Sequence, residues 1–371
     1  MTVATFSLAA NECADKIAEL AFRLRGLLVG TAVGDALGLP VEGLSRRRAH
    51  RLYQGDWRHR LIFGHGMISD DTEHTLFVAQ SLLRHPDSPE CFARRLGWCL
   101  RGWLLSLPAG IGFATLQAIL KLWLGFPPRH SGVWSAGNGP AMRAAIIGAF
   151  FAHDSNQRAA YVAASTRITH TDPRALTGAS AVAELAAWIV RDRLTQHPPL
   201  EPFLALLRAC SPHDRDWQSL IDAMNHAARE DRTVAELAER LGLANGVTGY
   251  IYHTVPVAAY AWFRHGGAYQ QTLAAILDCG GDTDTVGAIA GALAGATVEE
   301  TGIPEAWRTG VADWPRSLPM LGMLADRLAA SAFTHQPAAP VRYFWPAILV
   351  RNLLFLLIVL AHGFRRLLPP Y

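Results

Sequence analysis

The stretch GLLVGTAVGDALG, residues 26–38, decides the fold of this chain. Its glycines recur at every fourth position, and residues four apart lie on one face of a helix. A second stretch, TVGAIAGALAGAT at residues 285–297, carries glycines at the same interval. Small residues on a helix face let two backbones approach closely. We therefore predict that these two helices cross in tight contact in the core.

The composition favours a helical protein with a sizeable core. The chain has 371 residues, half of them apolar, and a net charge of only +3. Most segments show apolar residues at helical spacing, and no convincing run of period-two alternation indicates strands. We therefore predict an all-α protein. No dense basic stripe interleaved with aromatic residues appears, so a nucleic acid is not an expected partner.

The C-terminal end differs from the rest of the chain. We predict a body at 14–333, a linker at 334–342 and a hydrophobic helix or tail at 343–371. The uninterrupted apolar run 353–361 is shorter than the roughly 20 residues that a bilayer span needs, and Arg351 would lie at a costly depth in a bilayer. A helix packed on the body or a partner subunit, a helix on the membrane surface and a true span stay open as alternatives.

The cysteines indicate a reducing environment. They are five, scattered, and without a CxxC pair, which argues against a disulfide framework or a zinc site. The N-terminal residues lack a basic start followed by an apolar run, so no secretory signal is expected. We predict a cytoplasmic location, and association with a membrane through the C-terminal segment stays open.

Two short acidic clusters point to a metal site. They are SDDT at 69–72 and DTDT at 282–285, each with two carboxylates and hydroxyls. These hard oxygen ligands suit Mg²⁺, Ca²⁺ or Mn²⁺, and carboxylates this dense repel one another unless a cation neutralises them. Two acidic helix N-caps are the alternative interpretation. We predict one metal site assembled from both clusters.

A third acidic residue, Glu42, follows Pro40 at the end of the first glycine-rich helix. Proline ends a helix readily, so Glu42 should lie on the exit loop. A carboxylate on a loop beside metal ions is well placed to accept a proton from water. A solvated loop residue is the alternative.

Together these motifs resemble the ADP-ribosylglycohydrolase family. The matching pieces, in order, are GDALG at 34–38 with Glu42, SDDT at 69–72, SAGNGPAMR at 135–143, THTDP at 169–173 and GGDTDT at 280–285. Each fragment alone is weak, but five in order are highly specific. The resemblance implies a compact orthogonal multi-helix bundle of that family's type with a binuclear Mg²⁺ centre, Mn²⁺ being the other candidate.

The resemblance also assigns roles to individual residues. The implied metal ligands are Ser69, Asp70, Asp71, Asp282, Asp284 and Thr285. Glu42 is the implied catalytic acid or base. The implied substrate-binding residues are Ser135, Gly137, Asn138, Gly139 and His170. The backbone of this glycine loop suits the oxygens of a diphosphate.

The expected function is Mg²⁺-dependent removal of ADP-ribose from a modified protein or a small ADP-ribosyl compound, by cleavage of the C1″ glycosidic bond. The alternatives are a non-catalytic ADP-ribose-binding or structural member of the family and a two-metal hydrolase of another bond. The stretch 108–128 does not match the family pattern, and we expect it to reshape the pocket. Because every motif lies upstream of Pro340, we expect a chain truncated there to keep activity on a small substrate.

Overall fold

The computed structural model describes residues 4–367, and over that range the protein is all-α, which confirms the predicted fold class. A two-residue antiparallel pair of strands, β1 Leu44–Ser45 and β2 Gly280–Gly281, is the only sheet in the described chain. Short 3₁₀ turns cover Leu39–Val41 and Glu300–Gly302. The helices are α1 Ala4–Gly38, α2 Arg46–Tyr53, α3 Asp70–Arg84, α4 Pro89–Leu105, α5 Phe113–Trp123, α6 Pro128–Ser131, α7 Gly139–Met142, α8 Ala145–Phe150, α9 Ser155–Arg167, α10 Pro173–Arg191, α11 Leu200–Ala209, α12 Arg215–Arg229, α13 Val234–Arg240, α14 Ile251–His265, α15 Tyr269–Leu277, α16 Thr283–Val298, α17 Glu305–Thr309, α18 Leu318–Thr334 and α19 Pro346–Arg365.

Helices α1 and α16 pack against each other backbone to backbone. A Cβ atom built on Gly34 would lie 2.1 Å from the carbonyl oxygen of Gly287, and one on Gly30 would lie 2.2 Å from that of Gly291. The order of these contacts makes the two helices antiparallel. The predicted close crossing of the glycine-rich helices is confirmed. It places the C-terminal end of α1 beside the N-terminal end of α16.

The short strand pair joins the loop after α1 to the start of α16. Leu44 pairs with Gly281, and the Gly43 N–H donates to the Gly281 carbonyl oxygen at 2.7 Å. Gly281 has a φ of +85°, and a Cβ there would lie 2.0 Å from the carbonyl oxygen of Val247. This position therefore requires glycine on two counts, conformation and space. The strand pair holds Glu42 next to the second acidic cluster.

Helix α19 packs on the body of the protein through one face. Phe355 is buried together with Leu39, Leu61 and Met67. The opposite face is exposed, with Leu357 at 65% and Val350 at 69% exposure. The helix thus lies within the predicted segment 343–371, whose last four residues fall outside the described part of the chain. The predicted boundaries at 333 and 342 stay predictions.

Two described helices have the length and apolar composition of a membrane span. They are the helical stretch Cys13–Val41, whose most apolar window is 94% buried, and α19, whose window is 28% buried. The first is the core of the bundle. For the second, length and composition alone do not distinguish a span from a docked helix.

Candidate active site

The first acidic cluster forms the N-terminus of α3. Ser69 is the N-cap, and its hydroxyl accepts a hydrogen bond from the Asp71 N–H at 3.3 Å. Asp35 of α1 accepts hydrogen bonds from the Ser69 N–H at 2.9 Å and from the Thr72 hydroxyl at 2.5 Å. Asp35 itself is fully buried. A carboxylate here satisfies free N–H groups at the start of α3 and fixes the orientation of the cluster.

The second acidic cluster forms the N-terminus of α16. Asp282 occupies the N-cap position, and its carboxylate accepts a hydrogen bond from the Asn138 side-chain amide at 2.5 Å. The Asn138 amide also donates to the Thr254 hydroxyl at 2.9 Å. Asp284 accepts from the Thr285 N–H at 2.9 Å. The glycine loop is therefore tied directly to one of the predicted metal ligands.

The fold brings the two clusters together with the loop acid. The Thr285 hydroxyl donates to the Asp71 carboxylate at 3.3 Å. Glu42, Asp282 and Asp284 each have a carboxylate oxygen within 4.8 Å of the others. The carboxylates of the distant segments therefore meet at one site, and the binding of metal there stays a prediction.

Burial and the charges of neighbouring acids raise the pKa values of the acids in the site. Burial, followed by the charges of neighbouring carboxylates, holds the pKa of Asp70, Asp71 and Asp284 well above its usual range. Burial raises the pKa of Asp35 to about 6, although its hydrogen bonds oppose the shift. Glu42 reaches the open cavity, yet the surrounding protein and then the Asp282 charge raise its pKa.

These acids have the properties of a cation site. The buried arginines nearest the first cluster, Arg316 and Arg351, pair with Glu73 and Asp313 and not with the aspartates of the cluster. The Oδ1 atom of Asp71 is buried and has no hydrogen-bond partner in the described chain. A buried carboxylate oxygen without a partner is costly. Oxygen-only donors that converge without a directly bonded cationic side chain fit a hard divalent cation.

His170 faces the glycine loop at residues 135–139, and its ring is held in one orientation. Arg143 donates to the Thr169 hydroxyl at 2.7 Å, so the hydrogen of that hydroxyl is directed at His170 Nδ1, 2.8 Å away. We assign the ring proton to Nε2 from this network. A Cβ on Gly137 would lie 3.0 Å from this Nε2. Burial and the Arg143 charge lower the pKa of His170 to about 3, so the ring is a neutral donor at neutral pH.

The two acidic clusters, Glu42, the glycine loop and His170 meet at one cavity of about 780 Å³. Every predicted site residue lines it except Asp71, which lies behind Ser69 and Thr285. Part of the stretch 108–128, which we expect to reshape the pocket, also contributes to the wall through residues of 109–117, and Phe113 is 74% exposed. Trp134 is exposed to the same degree beside the glycine loop.

Sequence reasoning missed three contributors to the site. Asp35 supports the first cluster, and its signal was a charged residue on an otherwise apolar helix face. Phe355 and Val359 of α19 line the cavity, and no local pattern distinguishes them from the other apolar residues of that helix. Their role depends on where α19 docks.

An all-α body with an acidic cavity at the ends of two crossing helices defines a class of helical proteins in which carboxylates and hydroxyls line one cavity. Comparison with known proteins identifies the family. The family model described as ADP-ribosylglycohydrolase matches residues 17–338. The chain belongs to the ADP-ribosylglycohydrolase family and is an ADP-ribosyl glycohydrolase, a hydrolase of glycosyl bonds.

Individual relatives agree with this assignment. An uncharacterized protein of Archaeoglobus fulgidus is 35% identical over 78% of this chain and 92% of its own length. The ADP-ribosylhydrolase ARH3 of Xenopus tropicalis is 26% identical over 81% of this chain and 95% of its own length. The ADP-ribosyl-[dinitrogen reductase] glycohydrolase of Rhodospirillum rubrum is 27% identical over 77% and 88%, respectively. A solved structure titled ADP-ribosylglycohydrolase-related protein complex superposes with a TM-score of 0.62, at 25% identity, over 85% of this chain and 99% of its own.

Proposed function

We propose that this protein is a Mg²⁺-dependent hydrolase that cleaves the C1″ glycosidic bond of an ADP-ribosyl group. The observation that carries the proposal is the convergence of Glu42, Asp282 and Asp284 on one point of the cavity, with Asp70 lining the same cavity. Glycosidic cleavage develops positive charge at the anomeric carbon, and carboxylates stabilise such charge. Family membership supports ADP-ribose as the sugar that is removed.

Two Mg²⁺ ions are the proposed cofactors, with Mn²⁺ as the other candidate. Ser69, Asp70 and Asp71 would hold them from one side, and Asp282, Asp284 and Thr285 from the other. Carboxylate and hydroxyl oxygens are the ligands that these ions prefer, and the unpartnered Oδ1 of Asp71 supports this assignment. When bound, the ions would stabilise negative charge and orient the substrate.

The residues of the chain carry the remaining steps. Glu42 is the proposed acid or base nearest the anomeric bond, because its carboxylate reaches the open cavity and burial raises its pKa, which favours a role in proton transfer. The loop at residues 135–139 would hold the diphosphate and ribose. His170 would donate a hydrogen bond from Nε2 to a substrate oxygen without changing its own charge.

The proposed substrates are an ADP-ribosylated protein or a small ADP-ribosyl compound. The names of the relatives from Xenopus and Rhodospirillum support the general kind of substrate. We further propose a cytoplasmic location, which the five free cysteines support because such thiols persist in a reducing compartment. Contact of the segment 343–371 with a membrane surface or a partner subunit also stays a proposal, supported by the exposed face of α19.

The test combines metal binding with turnover. Release of ADP-ribose is measured from a panel of ADP-ribosylated peptides and small compounds, with Mg²⁺ and with excess chelator. Asp284→Asn should abolish the release of ADP-ribose and keep the helical content of the protein. Its binding of Mg²⁺, measured by calorimetry, should be weaker than that of wild type. Glu42→Gln should bind ADP-ribose but lose turnover by about 10²-fold or more. Asp231→Asn, at a side chain that is 91% exposed, is the matched control. Full activity in chelator would contradict the proposal.

A further inference from the structure

The C-terminal helix α19 forms one wall of the active-site cavity. Phe355 and Val359 line this cavity together with Leu39 and Ala109, and all four are apolar. Leu39 belongs to the turn that leads into Glu42. The wall therefore borders the side of the cavity from which Glu42 approaches the substrate. The family match ends at residue 338, so the part of this wall that α19 contributes lies outside it.

A buried ion pair anchors α19 beside the first acidic cluster. Arg351 and Asp313 are both buried and paired, with Arg351 Nε 3.2 Å from Asp313 Oδ1. Arg351 also donates to the Ile68 carbonyl oxygen, while Asp313 accepts from the Ile68 N–H at 3.2 Å. Ile68 immediately precedes Ser69. The backbone of Ile68, next to the first cluster, is thus held at its carbonyl oxygen by Arg351 of α19 and at its N–H by Asp313.

A second anchor holds the loop that carries Glu42. Arg366, directly after α19, donates to the carbonyl oxygen of Glu42 at 2.7 Å and to that of Pro40 at 2.9 Å. A guanidinium group offers several N–H donors in a rigid plane, so it can fix two carbonyl groups at once. This contact restrains the backbone from which the Glu42 side chain projects.

We propose that residues 346–366 are a functional part of the active site. Arg366 is a positioning residue for Glu42, and Phe355 and Val359 are specificity-determining residues that contact the group released from ADP-ribose. An apolar wall leaves the N–H donors of a cationic guanidinium unsatisfied, whereas a small uncharged linkage loses little there. The wall therefore favours an uncharged leaving group, such as a serine hydroxyl, over an arginine guanidinium.

This inference rests on the proposed hydrolysis of an ADP-ribosyl bond, and it reverses one expectation from the sequence. The motifs alone predict that a chain truncated at Pro340 keeps its activity on a small substrate. The truncation removes both anchors and the part of the apolar wall that α19 contributes. We now expect the truncated chain to lose turnover. Point variants give a sharper test, because the truncation also leaves Asp313 buried without its partner.

The positioning role is tested on Arg366. Arg366→Met should lower kcat by about tenfold to a hundredfold, since small displacements of a reacting group have effects of that size. The Kd values for the product ADP-ribose and for Mg²⁺ should stay within about twofold of wild type, because binding of these ligands does not require the exact position of the Glu42 carboxylate. Arg366→Lys keeps the charge but loses the planar pair of donors, so its kcat should be intermediate. Arg342→Met removes an exposed arginine before α19 and is the control.

The outcomes of this test are decisive. A wild-type kcat in Arg366→Met, or equal losses in Arg366→Met and Arg342→Met, would overturn the positioning role. If Arg366→Met fails to fold, as judged from its helical content, the comparison of Arg366→Lys with wild type decides. A wild-type kcat in that folded variant also overturns the role.

The specificity role is tested on Val359, which is only partly buried and therefore tolerates change. The probes are two peptides of matched sequence, ADP-ribosylated on serine in one and on arginine in the other. Wild type should prefer the serine-linked peptide. Val359→Glu should shift the ratio of kcat/KM towards the arginine-linked peptide by about tenfold or more. Leu357→Glu, on the exposed face of the same helix, should leave the ratio unchanged.

Different results would contradict the proposed function and the proposed selection of the leaving group. If wild type neither binds ADP-ribose nor releases it from any probe, the proposed function is wrong. If wild type is active but Val359→Glu and Leu357→Glu give the same ratio as wild type, the apolar wall does not select the leaving group. A wild-type preference for the arginine-linked peptide would likewise overturn the stated specificity.

Discussion

Two helices of this protein share an apolar composition but differ in their burial. The stretch Cys13–Val41 has a mean hydropathy of 1.3 in its most apolar window, which is 94% buried, whereas α19 reaches 2.1 and is 28% buried. The more apolar helix is therefore the more exposed one. The difference shows that hydropathy does not determine how a helix packs; the shape and chemistry of its faces do.

The two helices are held by different contacts. Helix α1 meets α16 through glycines, and the close approach of the backbones excludes solvent along the whole crossing. Helix α19 is held by polar side chains at a few points, namely Arg351, the amide of Asn352 on Ser106, and His362 on the Leu61 carbonyl oxygen. The first mode is sensitive to volume, and the second is sensitive to the loss of a partner.

The largest effect is expected from adding volume to the crossing. Gly30→Ala would place a Cβ 2.2 Å from the carbonyl oxygen of Gly291, so the two backbones must separate. We expect a loss of about 3 kcal/mol or more in the free energy of unfolding, at the upper end of overpacking effects. Denaturant unfolding followed by circular dichroism measures it.

The matched control for this variant lies in α19. A Cβ on Gly363 would meet nothing within 4 Å, so Gly363→Ala should stabilise the helix by about 0.5–1 kcal/mol through reduced chain entropy. Similar stabilities for the two variants would show that the crossing is looser than described, and the contrast between the helices would fail.

The next effect is expected from removing the buried anchor of α19. Arg351→Met leaves Asp313 buried without its cationic partner. Because Asp313 keeps the Ile68 N–H as a donor, we expect the lower end of the about 3–5 kcal/mol that breaking such a pair costs. The double variant Arg351→Met/Asp313→Leu removes both charges and should recover part of this loss. Thermal and denaturant unfolding of wild type, the single variant and the double variant measure the difference.

Arg342→Met serves as the control, because this arginine is exposed in the segment that precedes α19. If Arg351→Met unfolds at the wild-type denaturant concentration, α19 does not depend on the pair. The helix would then be held mainly by its apolar face, and the proposed distinction between the two packing modes would be wrong.

A smaller effect is expected on the pH dependence of stability. It arises from Asp71, whose Oδ1 has no hydrogen-bond partner in the described chain, and from its acidic neighbours, whereas Asp313 is paired with Arg351. The raised pKa values of Asp71 and its neighbours mean that the folded protein keeps protons which the unfolded chain releases above about pH 4. The metal-free protein should therefore lose stability as the pH rises from about 4 towards the folded pKa values, and for Asp35 this window ends near pH 6. Asp71→Asn should weaken this loss, because one of the retained protons is then absent.

The measurement is unfolding in chelator at pH 5 and pH 8, repeated with excess Mg²⁺. A cation that binds the folded site should remove most of the difference between the two pH values, because it replaces the protons as counter-charge. Metal-free stability that rises with pH would contradict the predicted sign. The same result in Asp71→Asn and wild type would exclude Asp71 as a contributor.

Much of the site can be predicted from the sequence because its chemistry is concentrated in short segments. The carboxylates and hydroxyls of residues 69–72 and 282–285 are adjacent in the sequence, so they can be recognised directly. The regular spacing of the glycines in α1 and α16 likewise indicates how these helices meet. Asp35 was harder to assign, because one acid on an apolar helix indicates burial but not its partner. Only the structure pairs it with the N-terminus of α3.

The sequence by itself determined the helical class, the crossing of α1 with α16, the family and the residues of the acidic clusters. These features follow from local periodicity and from motifs in which neighbouring residues act together. Only the tertiary structure decided that α19 packs against the active-site cavity, that Arg351 supports Ile68 and that Arg366 holds the Glu42 loop. These contacts join residues that are far apart in the chain, so no local pattern encodes them, and their energy depends on the geometry that folding brings about.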